Sequence, residues 1–192
     1  MLIGVCGKAK AGKDTFADFA IDIAKEWGAT FVRKVAFAET LKEGAAATLG
    51  INVDKLYSQD FKASKIAMFP NHTYREFLQY FGAKMREFEP DFWIRITMQK
   101  MPNYETGLTI ISDVRYRNEA EAIRKAGGLL VRIDRIGAGA GNHPSETELD
   151  NYEHFDYRFE NNRSLDALKG EARKFLFSHN FLNKKDESIS NR

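Results

Sequence analysis

The residues best placed to do chemistry lie near the N-terminus, in the run Gly7-Lys8-Ala9-Lys10-Ala11-Gly12-Lys13-Asp14-Thr15. The pattern is Gly-x-x-x-x-Gly-Lys, with Asp14 where Ser or Thr usually follows. Glycines and small residues let consecutive backbone N–H groups turn inward around a phosphate. A helix starting near Lys13 adds its N-terminal donors and dipole, and Lys13 adds a mobile positive charge for the outer phosphates. Gly7 through Thr15 are therefore the expected phosphate-binding residues; the rival reading is a glycine-containing turn with solvated lysines. Asp14 also has two readings. A carboxylate in a first helical turn gains about 0.3–1 kcal/mol from the dipole, which alone explains it. It would repel a triphosphate unless Mg²⁺ lay between them, so either Asp14 touches the metal or Thr15 supplies the hydroxyl instead.

A second group stands in Ser112-Asp113-Val114-Arg115-Tyr116-Arg117-Asn118-Glu119. An aspartate at the carboxyl end of an apolar strand can hold Mg²⁺ or orient a nucleophile; it can also simply start a turn. Arg115 can fork onto a phosphate. Asn118 either caps the following helix, with Glu121 as its partner three residues on, or reaches a ligand. Arg132 and Arg135 flank the end of another apolar run, where an arginine stabilises charge developing on a transferred phosphoryl group. Arg86 and Trp93 fall in a helical stretch that could grip a second substrate, although plain core packing also accounts for Trp93. His143, Glu146 and His154 have no third and fourth partner at metal spacing, so zinc is not expected. Gly137–Asp150 reads as a mobile lid.

Positioning these groups takes strands and helices in alternation. Leu2–Cys6 is a buried strand by its short apolar run. Phe16, Phe19, Ala20, Ile23, Ala24 and Trp27 form the stripe of an amphipathic helix that Gly28 ends. Phe31–Phe37 reads as a second strand and Glu39–Leu49 as a helix stopped by Gly50. Residues Asn52–Thr73 read as loop or short helical pieces. Tyr74–Phe88 and Asp91–Met101 are helices broken at Glu89–Pro90. Leu108–Ser112, Leu129–Ile133 and Tyr157–Phe159 are strands. Asn118–Ala126 is a helix, as is Ser164–Phe177, with Leu165, Leu168, Ala172, Phe175 and Leu176 on one face. The alternation implies an α/β fold with a parallel sheet covered on both faces. Ligands of such sheets lie beyond the carboxyl ends of the strands, which points to residues 7–15, 37–42, 113–119 and 134–136.

The 192 residues suit one domain with at most a small lid, and 43% hydrophobic content suffices for a core. With 29 Lys plus Arg against 27 Asp plus Glu, the net charge of +2 argues against a general partner in polymeric nucleic acid or a membrane surface. The single Cys6 excludes an intrachain disulfide and favours a reducing compartment. No apolar run is long enough to span a bilayer and no basic segment precedes an apolar one at the N-terminus. The expectation is a cytoplasmic protein, with a homodimer left open.

Larger blocks of the chain resemble the phage-type deoxynucleoside monophosphate kinases. The resemblance is carried by Gly12-Lys13-Asp14-Thr15, Ala36-Phe37-Ala38 with Leu41-Lys42, and Leu78-Gln79 with Phe81-Gly82 and Arg86. It continues through Asp91-Phe92-Trp93, Ile111-Ser112-Asp113-Val114-Arg115 with Asn118-Glu119-Ala120, His143-Pro144-Ser145-Glu146, and Asn161-Asn162 before Ser164-Leu165. It implies the P-loop NTPase fold, a three-layer α/β/α domain over residues 1–180 followed by a polar tail at 181–192. A monophosphate-binding helical insert would span about 38–105 and a short lid about 137–150. The implied reaction moves the γ-phosphoryl of ATP, as its Mg²⁺ complex, to a deoxynucleoside 5′-monophosphate, in the host cytoplasm if the gene is a phage's. By position, Phe37, Lys42, Arg86, Trp93, Asp113, Arg115, Asn118 and Glu119 would meet the acceptor. Arg132 and Asn161 would lie near the ATP base or lid; Lys13, Asp113, Arg132 and Arg135 would carry catalysis; Asp14 and Asp113 would face the metal. The stretch 137–150 contains no Arg or Lys, so Arg132, Arg135 or Arg158 would have to do the work of a lid arginine. Lys8, Lys10 and the Gly-Lys-Asp ending also resemble the animal phosphomevalonate kinases, and dephospho-coenzyme A kinases share the general architecture. A nucleotide-binding module without transferase activity is the rival from another class.

Overall fold

The computed structural model describes residues 1–101, 107–139 and 144–181. The chain divides into two compact units: residues 1–36 with 101–192, and residues 37–100.

The first unit is built on a parallel five-stranded sheet. Its strands are β1 (Leu2–Cys6), β2 (Val32–Val35), β5 (Leu108–Val114), β6 (Leu129–Asp134) and β7 (Tyr157–Glu160), in the order β2-β5-β1-β6-β7. β1 sits at the centre and is buried along its whole length, as its unbroken apolar run requires. Ile3 lies between Ile110 and Leu129, and Cys6 between Val114 and Arg132. That register brings the ends of β1, β5, β6 and β7 to one edge, so the segments after them share one rim. The helices α1 (Lys13–Glu26), α6 (Arg117–Lys125) and α8 (Leu165–Ser178) cover the sheet. Phe16, Ala20, Ile23 and Ala24 of α1 pack with Leu168, Ala172 and Phe175 of α8 over Ile3, Val5, Ile110 and Val131. On the opposite face, a side chain at Gly4 would run into Ile123 of α6. The architecture is therefore α/β with helices on both faces.

The stripe expected from Phe16 to Trp27 is the buried face of α1, which closes on Gly28. Gly28 has φ +80°, its N–H reaches the Lys25 carbonyl, and the Ala29 N–H reaches that of Ala24. Those two bonds satisfy two of the helix's last carbonyls. The strands at 108 and 129 run further than their apolar cores suggest, so Asp113 and Asp134 lie within the strands. β2 is shorter than expected: Phe37 is the first residue of a helix.

The second unit comprises α2 (Phe37–Leu49), a 3₁₀ turn (Val53–Tyr57), α3 (Gln59–Ala63), the antiparallel pair β3 (Lys65–Ile66) and β4 (Phe69–Thr73), α4 (Tyr74–Phe88) and α5 (Phe92–Gln99). Ala45, Ala46, Leu49, Leu56, Ile66 and Tyr74 form its core. Thr73 caps α4 by accepting from the Glu76 N–H, and the Glu76 carboxylate accepts from the Thr73 N–H in return. The short helical pieces expected between Asn52 and Thr73 are the 3₁₀ turn and α3, and the small hairpin that follows them was not expected. Pro70 fits there because β4 is exposed along almost its whole length and pairs on one side only.

Candidate active site

The chain turns sharply after β1. Gly7 has φ +150°, and a Cβ there would stand 2.5 Å from the Ile133 carbonyl oxygen. Lys10 takes a left-handed φ of +65°, and Gly12, at the N-cap of α1, has φ +101°. The Ala11 N–H closes a turn on the Lys8 carbonyl at 3.2 Å. Such a sequence of backbone conformations is available cheaply to glycine and at a cost to other residues. The loop then enters a helix whose first residue is Lys13.

Lys13 is buried, only 6% exposed, and its Nζ donates to the Lys8 carbonyl at 2.9 Å. Burial, reinforced by the nearby Arg115 guanidinium, lowers its pKa to about 8, while Glu146, Asp14 and Asp113 act the other way. A cation held out of water beside a second cation is an arrangement that gains from an incoming anion. Asp14 is exposed and accepts a hydrogen bond from the buried Ser112 hydroxyl at 3.0 Å.

The end of β5 is fixed by Glu119, which is 2% exposed. Its carboxylate accepts from the Arg115 N–H at 2.8 Å and the Tyr116 N–H at 3.1 Å. This corrects the expected Asn118–Glu121 cap. The helix begins at Arg117 with Tyr116 at the cap position, and the residue three along is Glu119. Asn118 Oδ1 accepts the Glu119 N–H at 3.0 Å. Glu119 thus aims the turn that carries Arg115. The Arg115 guanidinium in turn pairs with the Glu146 carboxylate and reaches the Ser145 carbonyl at 3.4 Å. Glu146 also accepts from the Ala9 N–H of the loop at 2.7 Å.

On the other side of the loop, Asn161 is buried after β7. Its Nδ2 donates to the Ala11 carbonyl at 2.9 Å, and its own N–H bonds the Asp134 carbonyl at 2.7 Å. Arg132 projects from β6 with its side chain 8% exposed, paired to Asp134 at 2.8 Å and Asp150 at 3.3 Å. Arg158 pairs with Asp134 at 2.7 Å, and Lys8 with Asp150 at 3.1 Å. Arg135 is exposed. A cleft of about 360 Å³ opens among Lys8, Arg132, Asp134, Arg135, Asp150 and Arg158. A second, of about 290 Å³, lies beyond β7 among Asn161, Asn162, Arg163, Ala167, Leu168 and Glu171.

The structure thus brings Gly7–Thr15, Arg115, Glu119, Arg132 and Asn161 to one rim of the sheet, with Asp113 acting on Lys13 from the end of β5. The other expected residues belong to the second unit. There Trp93 is 3% exposed, donates its indole N–H to the Gly82 carbonyl at 3.1 Å, and meets Phe81 and Phe92 edge-on. Lys42 lies 3.9 Å from the Tyr57 ring centre. Phe37 is buried at the start of α2, and Arg86 stands in the last turn of α4. The lid expected over 137–150 falls in part on residues 140–143, His143 among them, which are outside the described residues, as is the tail from residue 182.

Two participants have no such role expected from the sequence, where Glu146 is weighed only as a zinc ligand. Ser112 adjoins Asp113 in the same motif, and its type alone was the available signal. Glu146 stands in the His-Pro-Ser-Glu run, but no spacing ties a lone carboxylate to a loop 137 residues away.

Known proteins bear on what this rim does. The family model for phosphomevalonate kinase matches residues 5–128. A protein of Acanthamoeba polyphaga mimivirus named "Putative deoxynucleotide monophosphate kinase" is 31% identical over 186 residues, covering 88% of this chain and 92% of that one. "Uncharacterized protein ORF77" of Ictalurid herpesvirus 1 (strain Auburn) is 36% identical over 85 residues, 41% of this chain and 37% of its own. Among the described residues no helix is long and apolar enough to cross a membrane. With a match over more than half its length and a relative aligned nearly end to end, the chain belongs to the phosphomevalonate kinase family and is a kinase of small phosphate-bearing acceptors.

Proposed function

We propose that the chain transfers the γ-phosphoryl group of ATP to a deoxynucleoside 5′-monophosphate, giving ADP and the deoxynucleoside diphosphate. The observation that carries the transfer is the loop after β1: a glycine turn ending in a helix, with the desolvated Lys13 ammonium beside Arg115. The deoxynucleotide acceptor is supported by the name of the mimivirus relative.

In this reading the N–H groups of residues 8–15 hold the ATP phosphates and Lys13 neutralises the charge that the transferred group carries in its loose transition state. Arg115 and Asn118, aimed by Glu119, receive the acceptor phosphate. Asn161 and the cleft beyond β7 receive the adenine, and Arg132 and Arg135 border the phosphates. No covalent intermediate is required, because positioning and charge neutralisation carry the catalysis.

The residues present also fit Mg²⁺. This ion takes hard oxygen ligands and needs only one or two protein carboxylates, leaving its other positions to water and phosphate oxygens. Asp14 offers an exposed carboxylate steadied by Ser112, and Asp113 offers another at the end of β5. When bound, the ion would offset phosphate charge.

The test is ADP release with purified protein against a panel of deoxynucleoside and ribonucleoside monophosphates, phosphomevalonate and dephospho-coenzyme A. Turnover with at least one deoxynucleoside monophosphate, abolished in Lys13→Ala, is expected. Turnover only with phosphomevalonate would establish the second reading, which the family match favours. Absence of acceptor-dependent turnover would reject both.

A further inference from the structure

A carboxylate already occupies the phosphate loop. Glu146, in the short helix α7 (Pro144–Thr147), places Oε2 2.7 Å from the Ala9 nitrogen and Oε1 against the Arg115 guanidinium. Its side chain is only 7% exposed. A carboxylate that accepts from a loop amide and an arginine at once reproduces two contacts that a phosphate oxygen would make. Two further contacts reach the loop, from Gly139 and from Asp150. The Gly139 N–H donates to the Ala9 carbonyl at 2.9 Å, and Asp150 pairs with Lys8 at 3.1 Å. All three tethers end on the loop.

We propose that Glu146 is an internal anion for the phosphate loop, which nucleotide must displace before it can bind. The inference rests on the reading that this loop takes nucleotide phosphates. The loop gathers Lys13, Arg115 and the Ala9 N–H, and Glu146 is the carboxylate that contacts both the loop amide and the arginine, adding its charge to that of Asp14 and Asp113 around Lys13. A polyphosphate carries more charge and more acceptor oxygens than one carboxylate, so it wins the site. It does so at an affinity reduced by the fraction of molecules in which Glu146 has left. Displacement frees both partners together: the Ala9 N–H for the nucleotide, and Arg115 for the acceptor. The arginine is thus withheld from acceptor until the loop is filled, which sets an order of binding.

The experiment is calorimetric titration of ADP with Mg²⁺, and separately of inorganic pyrophosphate, into wild type, Glu146→Gln, Glu146→Ala and the control Glu148→Gln. Glu148 is an exposed carboxylate two residues along the same segment. Both Glu146 variants are expected to bind ADP about tenfold more tightly, the loss of one charge-assisted competitor, while the control matches wild type. Equal or weaker binding by folded Glu146 variants overturns the proposal. Hydrogen exchange of the wild-type protein decides the matter without any variant. Exchange in residues 144–150 should quicken when ADP is added, and slowing there would overturn it. Were wild type and Lys13→Ala to bind ADP equally, the phosphate-loop reading itself would fall. Lys13-dependent binding with no gain in the Glu146 variants would sink this inference alone.

Discussion

The hydroxyl of Ser112, at the carboxyl end of β5, donates to the carboxylate of Asp14 at 3.0 Å and so joins the central strands' rim to the first turn of α1. In the general P-loop arrangement the loop provides the hydroxyl and a strand provides the carboxylate. Here a carboxylate, Asp14, follows the loop lysine with Thr15 after it, and the strand carries both Ser112 and Asp113.

That exchange makes Asp14 the group to test for a part in metal use. Asp14→Asn keeps the shape and can still accept from Ser112, but it removes the charge. Phosphoryl transfer should fall by roughly one to two orders of magnitude, about 1.4–2.8 kcal/mol of transition-state stabilisation, with the Mg²⁺ titration displaced to higher concentration. Ser112→Ala should cost about 1 kcal/mol in stability, the worth of one hydrogen bond, and displace the titration less. An Asp14→Asn enzyme with the wild-type Mg²⁺ curve would remove Asp14 from the metal site.

Gly12 and Asn161 are fitted to one another. At φ +101° a side chain on residue 12 is strained, and its Cβ would overlap the Asn161 amide nitrogen that bonds Ala11. Gly12→Ala should therefore destabilise the protein by about 1–3 kcal/mol and abolish nucleotide binding. Asn161→Ala should cost about 1–2 kcal/mol because it leaves the Ala11 carbonyl unsatisfied. The double variant should be less unstable than the sum, since removing the amide relieves the overlap. Urea melts of the four proteins measure this, and strict additivity would show that the two residues do not share their space.

How far the sequence announced all this depends on the kind of signal. Local, periodic patterns were legible: the Phe16–Trp27 stripe, the buried run Leu2–Cys6, and the glycine-lysine turn between them. Groups at strand ends were legible as well, because Asp113 and Arg115 follow an apolar run. What escaped notice was pairing across the chain. The hairpin Lys65–Ile66 with Phe69–Thr73 is too short and too exposed to show alternation. The cap at Tyr116 was hidden because tyrosine is not a usual capping residue, so Asn118 with Glu121 fitted the pattern better than Glu119 did. The tethers of Glu146 to Ala9 and of Asn161 to Ala11 span more than a hundred residues each, and no spacing rule reaches that far.

Lys13 carries a cost in the nucleotide-free protein that binding should repay. Its pKa is about 8 in the folded chain against an ordinary 10.5, because burial and Arg115 disfavour the charged form. The unfolded state therefore binds the proton more tightly, and this group's contribution to stability rises with pH between those two values. At pH 7 the penalty is on the order of 3 kcal/mol. Lys13→Met should raise the melting temperature of the nucleotide-free protein by several degrees while eliminating transfer. Phosphate binding should restore the charge, so ADP binding near pH 8 should take up about half a proton per molecule. Calorimetry in buffers of different ionisation enthalpy detects that uptake, and its persistence in Lys13→Met would assign it to another group.

Asp134 shows the opposite sign. Burial alone would raise its pKa, but the hydrogen bonds from Arg132 and Arg158, at 2.8 and 2.7 Å, outweigh burial and hold it below the ordinary carboxylate value. A depressed carboxylate contributes stability at neutral pH that is lost as the pH falls through its folded-state value. Asp134→Asn should therefore cost about 2 kcal/mol at pH 7, largely because it leaves the 8%-exposed Arg132 with Asp150 as its one remaining ion pair among the described residues. Below the ordinary carboxylate value the unfolded chain takes up the proton first, so toward pH 3 the two proteins should approach each other. Urea unfolding at both pH values provides the comparison. A gap of equal size at pH 3 and pH 7 would mean that the Arg132–Asp134–Arg158 cluster holds the ends of β6 and β7 by shape and hydrogen bonding, with no contribution from charge.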